Sequence, residues 1–155
     1  SEEEALKIAS AFSRDNGRTP MQWNQEKNAG FTTGAPWLCV NPDYRKINAE
    51  SQLKDSDSLL AFYRKLTRLR KDPEYKDTFV YGTFEPYQEE TENLIAYTRQ
   101  GEKKLLVRGN LQNQPCKVTL PGECVKVLLD NQAEKAAREK ELLLKPYEFM
   151  VLEYR

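Results

Sequence analysis

The chain has 155 residues, enough for one domain or one and a fraction, and enough to bury roughly two thirds of its unfolded surface if it folds by itself. Its 24 basic residues balance 24 acidic ones, which removes any electrostatic pull toward nucleic acid or an anionic membrane, and no apolar run approaches the roughly 18 residues that cross a bilayer. There is no histidine, so Ser-His and Cys-His nucleophiles and the usual zinc sets are excluded, and neither a metal nor a cofactor is expected.

The first ten residues, SEEEALKIAS, lack the basic start and apolar stretch of a signal peptide; the chain is expected to be cytoplasmic and to begin at an internal cut. Three early glutamates favour the positive end of a helix, and Ala5, Leu6, Ile8, Ala9 and Phe12 follow at helical spacing, which predicts a helix over Glu2–Ala11 with one apolar face. Then comes SRDNGRTPMQW, Ser13 to Trp23. Gly17 relaxes the backbone, Pro20 fixes a dihedral and biases Thr19 to extended geometry, so a polar loop is expected. Arg14 and Arg18 each present a planar fork of donors suited to carboxylates or hydroxyls, and Asp15 is placed to hold one of them.

From Ser13 to Leu53 there is little periodicity but many turn formers and aromatics, among them Trp23, Phe31, Trp37 and Tyr44. A structureless segment that long points to a larger supporting body, and its rings either pin the loop down or form a platform for sugars. Ser56–Lys71 reads as an amphipathic helix, capped by Asp55 or Ser56, with Leu59, Phe62, Tyr63, Leu66 and Leu69 on one face and Pro73 as its stop. Beyond Pro73 the period becomes two. Seven short strands are predicted at Thr78–Phe84, Leu94–Arg99, Lys104–Asn110, Cys116–Leu120, Cys124–Leu129, Glu141–Leu144 and Tyr147–Tyr154, punctuated by turn residues, which suggests a small antiparallel sandwich. Gln132–Lys140 makes either a helical turn or a charged loop. Cys39, Cys116 and Cys124 have no CxxC spacing and are expected to be reduced thiols, although Cys116 and Cys124 flank a turn across which they can face each other.

SRDNGRTPMQW, NAGFTTGAPW at Asn28–Trp37 and NPDYRKIN at Asn41–Asn48 closely resemble, in order and spacing, the C-terminal part of the oligo-1,6-glucosidases. These belong to the α-amylase superfamily of glycoside hydrolases, with the dextran glucosidases and trehalose-6-phosphate hydrolases. The resemblance implies a mostly β chain: residues 1–73 as the end of a (β/α)₈ catalytic barrel, and 74–155 as the C-terminal β-sandwich. It implies a gluco-oligosaccharide substrate, the remainder of the barrel as the natural partner, and exposed barrel pieces that are either disordered alone or paired in a dimer. It carries one functional residue onto this chain, Arg18, where the family places an arginine shaping the subsite for the non-reducing terminal glucose.

Retaining glycoside hydrolysis needs two carboxyl groups about 5 to 5.5 Å apart. Glu2, Glu3 and Glu4 share a polar helix face, Glu89 and Glu90 sit in a turn-like segment, and Asp55 and Asp57 resemble caps, so no catalytic pair is expected; in the resembled family those acids lie on barrel strands before the point where this chain begins. Gly17, commonly alanine or serine in relatives, and Arg108, in a strand that relatives keep more apolar, depart from the pattern. The expected activity of the parent is hydrolysis of α-1,6-glucosidic linkages of isomalto-oligosaccharides from the non-reducing end with retention, and the 155 residues alone are expected to be inactive. Two rivals stand beside it: a parent that is a dextran glucosidase or trehalose-6-phosphate hydrolase, and an autonomous carbohydrate-binding sandwich using Tyr81, Tyr87 or Tyr97.

Overall fold

A computed structural model describes residues 1–132 and 141–155, so the stretch expected to be a helical turn or charged loop lies outside the described residues from position 133 onward. The chain divides into two compact units, Ser1–Ala61 and Phe62–Arg155.

In the first unit, helix α1 (Glu2–Phe12) starts at a capping box: the Ser1 hydroxyl accepts the Glu4 N–H at 3.2 Å while the Glu4 carboxylate takes the Ser1 backbone nitrogen. Leu6 and Ile8 on its apolar face are exposed. The segment expected to lack structure is instead a chain of short turns at Asp15–Gly17, Lys27–Gly30 and Pro42–Arg45, ending in helix α2 (Ala49–Lys54). Hydrophobic periodicity cannot reveal such order, because Asn, Gln and Ser side chains build it by bonding to nearby backbone. Asn48 is the plainest case. Buried, it caps α2 by accepting the Ser51 N–H at 2.8 Å and donates to the Tyr44 carbonyl at 2.8 Å.

Helix α3 (Leu59–Lys71) begins three residues later than its periodicity suggests. Its cap is Ser58, whose Oγ accepts the Ala61 N–H at 3.2 Å, and Gln52 supplies a second acceptor to the Leu60 N–H at 2.9 Å. Asp55, expected as a cap, turns its carboxylate to the Asp57 N–H in a local turn.

The second unit corrects the first predicted strand. Lys76–Tyr81 is helix α4, and extended structure starts only at β1 (Thr83–Pro86). A turn led by Asp72 presents Tyr75 as the start of a helical turn, with the Phe79 N–H donating to the Tyr75 carbonyl at 3.0 Å. Thr78 is buried with its hydroxyl accepting the Lys103 N–H. So short a run fits both periods, and this contact decides it. The chain leaves α4 through Gly82, whose missing Cβ would lie 2.5 Å from the Thr78 carbonyl oxygen.

Strands β2 (Leu94–Gln100), β3 (Lys104–Asn110), β4 (Cys116–Thr119), β5 (Cys124–Asp130), β6 (Glu141–Leu144) and β7 (Phe149–Tyr154) follow. All pairing is antiparallel, in a five-stranded sheet ordered β1-β2-β3-β7-β5 and a two-stranded sheet β4-β6. Cys116 and Cys124 therefore sit in different sheets rather than across one hairpin, and all three cysteines are free.

Both faces of the five-stranded sheet are covered. One presents Val107, Leu129 and Val151 to Phe62, Leu66 and Leu69 of α3 and to Phe79. On the other, Leu106, Met150, Leu152 and Tyr154 cluster with Leu120 and with Leu142 of β6. Coverage on two faces is why β3 reads as a continuous apolar run rather than an alternating one. Arg108, in register with Met150, is the exception within it and is only 1% exposed.

Candidate functional site

The first sequence block of the first unit bonds to each of the other two. From the first block, the Gln22 side-chain amide donates to the Ile47 carbonyl in the third at 2.7 Å, and the Trp23 N–H donates to the Ala29 carbonyl in the second at 2.9 Å. The carbonyls of Gln22 and Trp23 then receive the N–H groups of Ala49 and Glu50 at the head of α2. Between them the chain makes a left-handed run, Asn28, Ala29 and Gly30, with φ of 55°, 58° and 67°. Asparagine and glycine tolerate that geometry; alanine resists it by about 1 to 2 kcal/mol. The surroundings hold it there: Ala29 is fully buried, and the Asn28 amide donates to the Thr32 and Gly34 carbonyls at 3.1 and 2.8 Å.

Beside this run lies an open recess lined by Asn24, Glu26, Lys27, Gly30, Phe31, Thr32 and Thr33. Of these, the sequence marks Phe31 as an aromatic and Gly30 as a turn former, and the second block spans Gly30 to Thr33; the signal for the recess itself was the Asn-Ala-Gly triplet, which asks for positive φ. Phe31 and Trp23 are half exposed and Trp37 almost fully so, and no ring contact joins the three among the described residues.

Arg14 and Arg18 bracket the Asp15–Gly17 turn, which follows directly from the extended cap of α1 at Ser13. The Arg18 N–H donates to the Asp15 carbonyl at 3.0 Å, and the Asp15 N–H donates to the Ser13 hydroxyl at 3.3 Å. The expectation that Asp15 holds one arginine is corrected: the turn satisfies Asp15 and Arg18 through backbone, and among the described residues no carboxylate pairs with either guanidinium. Arg18 is exposed, its donors open to an external acceptor. A Cβ at Gly17 would meet nothing within 4 Å, so alanine or serine there is sterically neutral.

Several of the acids have local duties. Glu50 pairs with Lys54, Glu123 with Arg155, and Glu74 with Lys103. Lys103 also reaches Glu153 at 3.1 Å, and the Tyr75 hydroxyl donates to the other oxygen of Glu153 at 3.1 Å. In this clasp the Lys103 hydrogen bond holds the Glu74 carboxyl below its ordinary range, and bonds to Glu74 and Glu153 raise Lys103. Burial, then the bond to Glu153, pushes Tyr75 up to about 12. Among the described residues no three Asp, Glu, Cys or His side chains are placed to hold a metal ion.

Tyr87 and Tyr97 are spoken for. Tyr87 packs on the Leu106 cluster with its hydroxyl 3.2 Å from the Thr119 hydroxyl, and Tyr97 lies against Phe84 with ring centres 5.0 Å apart. Of the three candidate tyrosines, Tyr81 alone is strongly exposed. Buried Arg108 is held by the Met150 sulfur, with Nη2 to Sδ at 3.6 Å, while its Nε and Nη1 make no hydrogen bond; burial pulls its pKa down to about 10. Among the described residues no helix is long and apolar enough to cross a membrane.

Residues 1–82 match the alpha amylase catalytic domain and residues 94–151 the C-terminal domain of the alpha-amylase SusG; the chain belongs to the alpha-amylase family. It is 39% identical over 147 residues to an oligo-1,6-glucosidase of Bacillus cereus, covering 92% of this chain and 26% of the relative. It is 40% identical over 151 residues to a trehalose-6-phosphate hydrolase of Bacillus subtilis, covering 93% and 26%. Among solved structures, an isomaltulose synthase from Klebsiella superposes with a TM-score of 0.85 at 38% identity, over 92% of this chain and 26% of that one. The chain thus spans about a quarter of the length of the relatives it matches.

Proposed function

We propose that this chain is the C-terminal part of a cytoplasmic α-glucosidase that cleaves α-1,6-linked gluco-oligosaccharides from the non-reducing end with retention, and that the 155 residues alone are inactive. On this reading residues 1–73 complete a (β/α)₈ barrel, the two sheets form the β-sandwich of residues 74–155, and the exposed apolar side chains of α1 and of the loop, Leu6, Ile8 and Trp37, meet the rest of the barrel. The observation that carries it is the bonding of the first block to the second and the third, within the part of the chain that matches the catalytic domain.

Arg18 serves as a substrate clamp. Its guanidinium donates to hydroxyls of the terminal glucose while pairing with a carboxylate supplied by another barrel loop, which orients the ring for attack. In the enzyme containing this chain, Arg18→Ala is expected to raise KM for isomaltose at least about tenfold, the loss of one charge-assisted bond. An unchanged KM and kcat would refute the clamp. The runner-up parent, a trehalose-6-phosphate hydrolase, draws support from the 40% identity to such an enzyme. Comparing kcat/KM for isomaltose and trehalose 6-phosphate separates the two.

A further inference from the structure

We infer that the recess walled by Asn24, Phe31, Thr32 and Thr33 is a carbohydrate subsite that takes one glucosyl ring of a neutral oligosaccharide, with Phe31 as its stacking face. The proposal rests on reading the parent as a gluco-oligosaccharide hydrolase and adds a contact surface separate in sequence from Arg18.

A pyranose offers an apolar C–H face edged by hydroxyls, and the recess offers the matching set. The Phe31 ring is half exposed at its wall. Around it stand the Asn24 amide and the Thr32 and Thr33 hydroxyls. Asn24 uses its oxygen to accept the Glu26 N–H at 3.0 Å, and Thr32 accepts the Gly34 N–H at 3.1 Å. The Asn24 NH₂ and the Thr33 hydroxyl have no protein partner among the described residues, so both remain free to bond a ligand. Glu26 and Lys27 contribute opposite charges to the lining, which favours a neutral ligand over an anion or a cation. Aromatic contact with a few placed polar groups is the usual make-up of a small-ligand site.

The recess is also built in advance. The left-handed run at Asn28–Gly30 sets the direction in which Phe31 leaves the turn, and the two bonds from the Asn28 amide close the loop over Thr32 to Gly34. Gly30 presses so closely on Asn24 that no side chain fits between them. Little ordering is left for a ligand to impose.

The test is saturation-transfer NMR on the chain with isomaltotriose at roughly 10 mM, a concentration suited to single-ring contacts of millimolar affinity. Wild type should transfer saturation to the sugar ring protons. Phe31→Leu, which keeps apolar volume but removes the ring, should cut the transfer roughly fivefold or more, and Phe31→Trp should restore it. Gly17→Ala, whose added methyl meets nothing within 4 Å, should leave it intact. Transfer unchanged in Phe31→Leu, or absent in wild type, overturns the subsite. Loss in Arg18→Ala with retention in Phe31→Leu overturns it too, while leaving the Arg18 clamp standing.

Discussion

Gly30 and Asn24 touch so closely that a methyl group on Gly30 would lie 2.5 Å from the Asn24 side-chain oxygen, and Gly30 is itself left-handed at φ 67°. Gly30→Ala therefore meets both a clash and a strained dihedral. We expect a loss of about 1 to 3 kcal/mol in the first unit, read as earlier loss of near-ultraviolet Trp23 and Trp37 signal in denaturant. Gly17→Ala, in open space, should leave that transition in place.

Removing the Asn48 side chain takes away the cap of α2 and strands the Tyr44 carbonyl in one step. Asn48→Ala should cost about 1 to 3 kcal/mol. Asn48→Asp keeps the acceptor and loses the donor, so it should fall between alanine and wild type in urea unfolding.

These two predictions concern order that hydrophobic patterning does not encode. Helix α1 was legible from apolar residues at helical spacing, although that face is exposed, and strands β2 to β7 from short runs of strand-forming residues bounded by turn formers; their observed limits differ from expectation by at most two residues. The turns between residues 13 and 48 were not, since Asn28, Asn41 and Asn48 hold them through bonds to backbone at positions no period marks. The strand expected over Thr78–Phe84 begins inside helix α4, because a short run with Thr78, Phe79 and Val80 suits either state; the contacts of Tyr75 and Thr78 settle it, and both lie outside the local pattern. Of the candidate site, Arg14 and Arg18 stand out in the sequence as two-point donors and only the resemblance chooses Arg18 between them, whereas the recess around Phe31 needed the left-handed run to be seen.

Arg108 places a guanidinium in the core with two of its nitrogens unbonded. A buried charge without full compensation is often less stable than an apolar side chain of similar volume. Arg108→Met is expected to raise the thermal midpoint, with a gain of about 1 to 4 kcal/mol, by calorimetry. A lower midpoint would mean that Arg108 stabilises the fold through its electrostatic neighbours.

Tyr75 titrates at about 12 in the fold against an ordinary 10.0. The fold thus favours the neutral phenol, and the associated stability is complete below pH 10 and lost as pH rises toward 12. Denaturant midpoints between pH 9 and pH 12 should fall less steeply in Tyr75→Phe than in wild type, and tyrosinate absorbance should lose its latest-titrating component. Equal slopes would show that the phenol does not couple to folding.

The central claim is that this chain brings an arginine for the sugar but not the acids that break its bond. The most direct measurement is hydrolysis of an aryl α-glucoside by the purified 155 residues. The account predicts no turnover above the uncatalysed rate. Turnover that disappears when a carboxylate of this chain is replaced by its amide would contradict it.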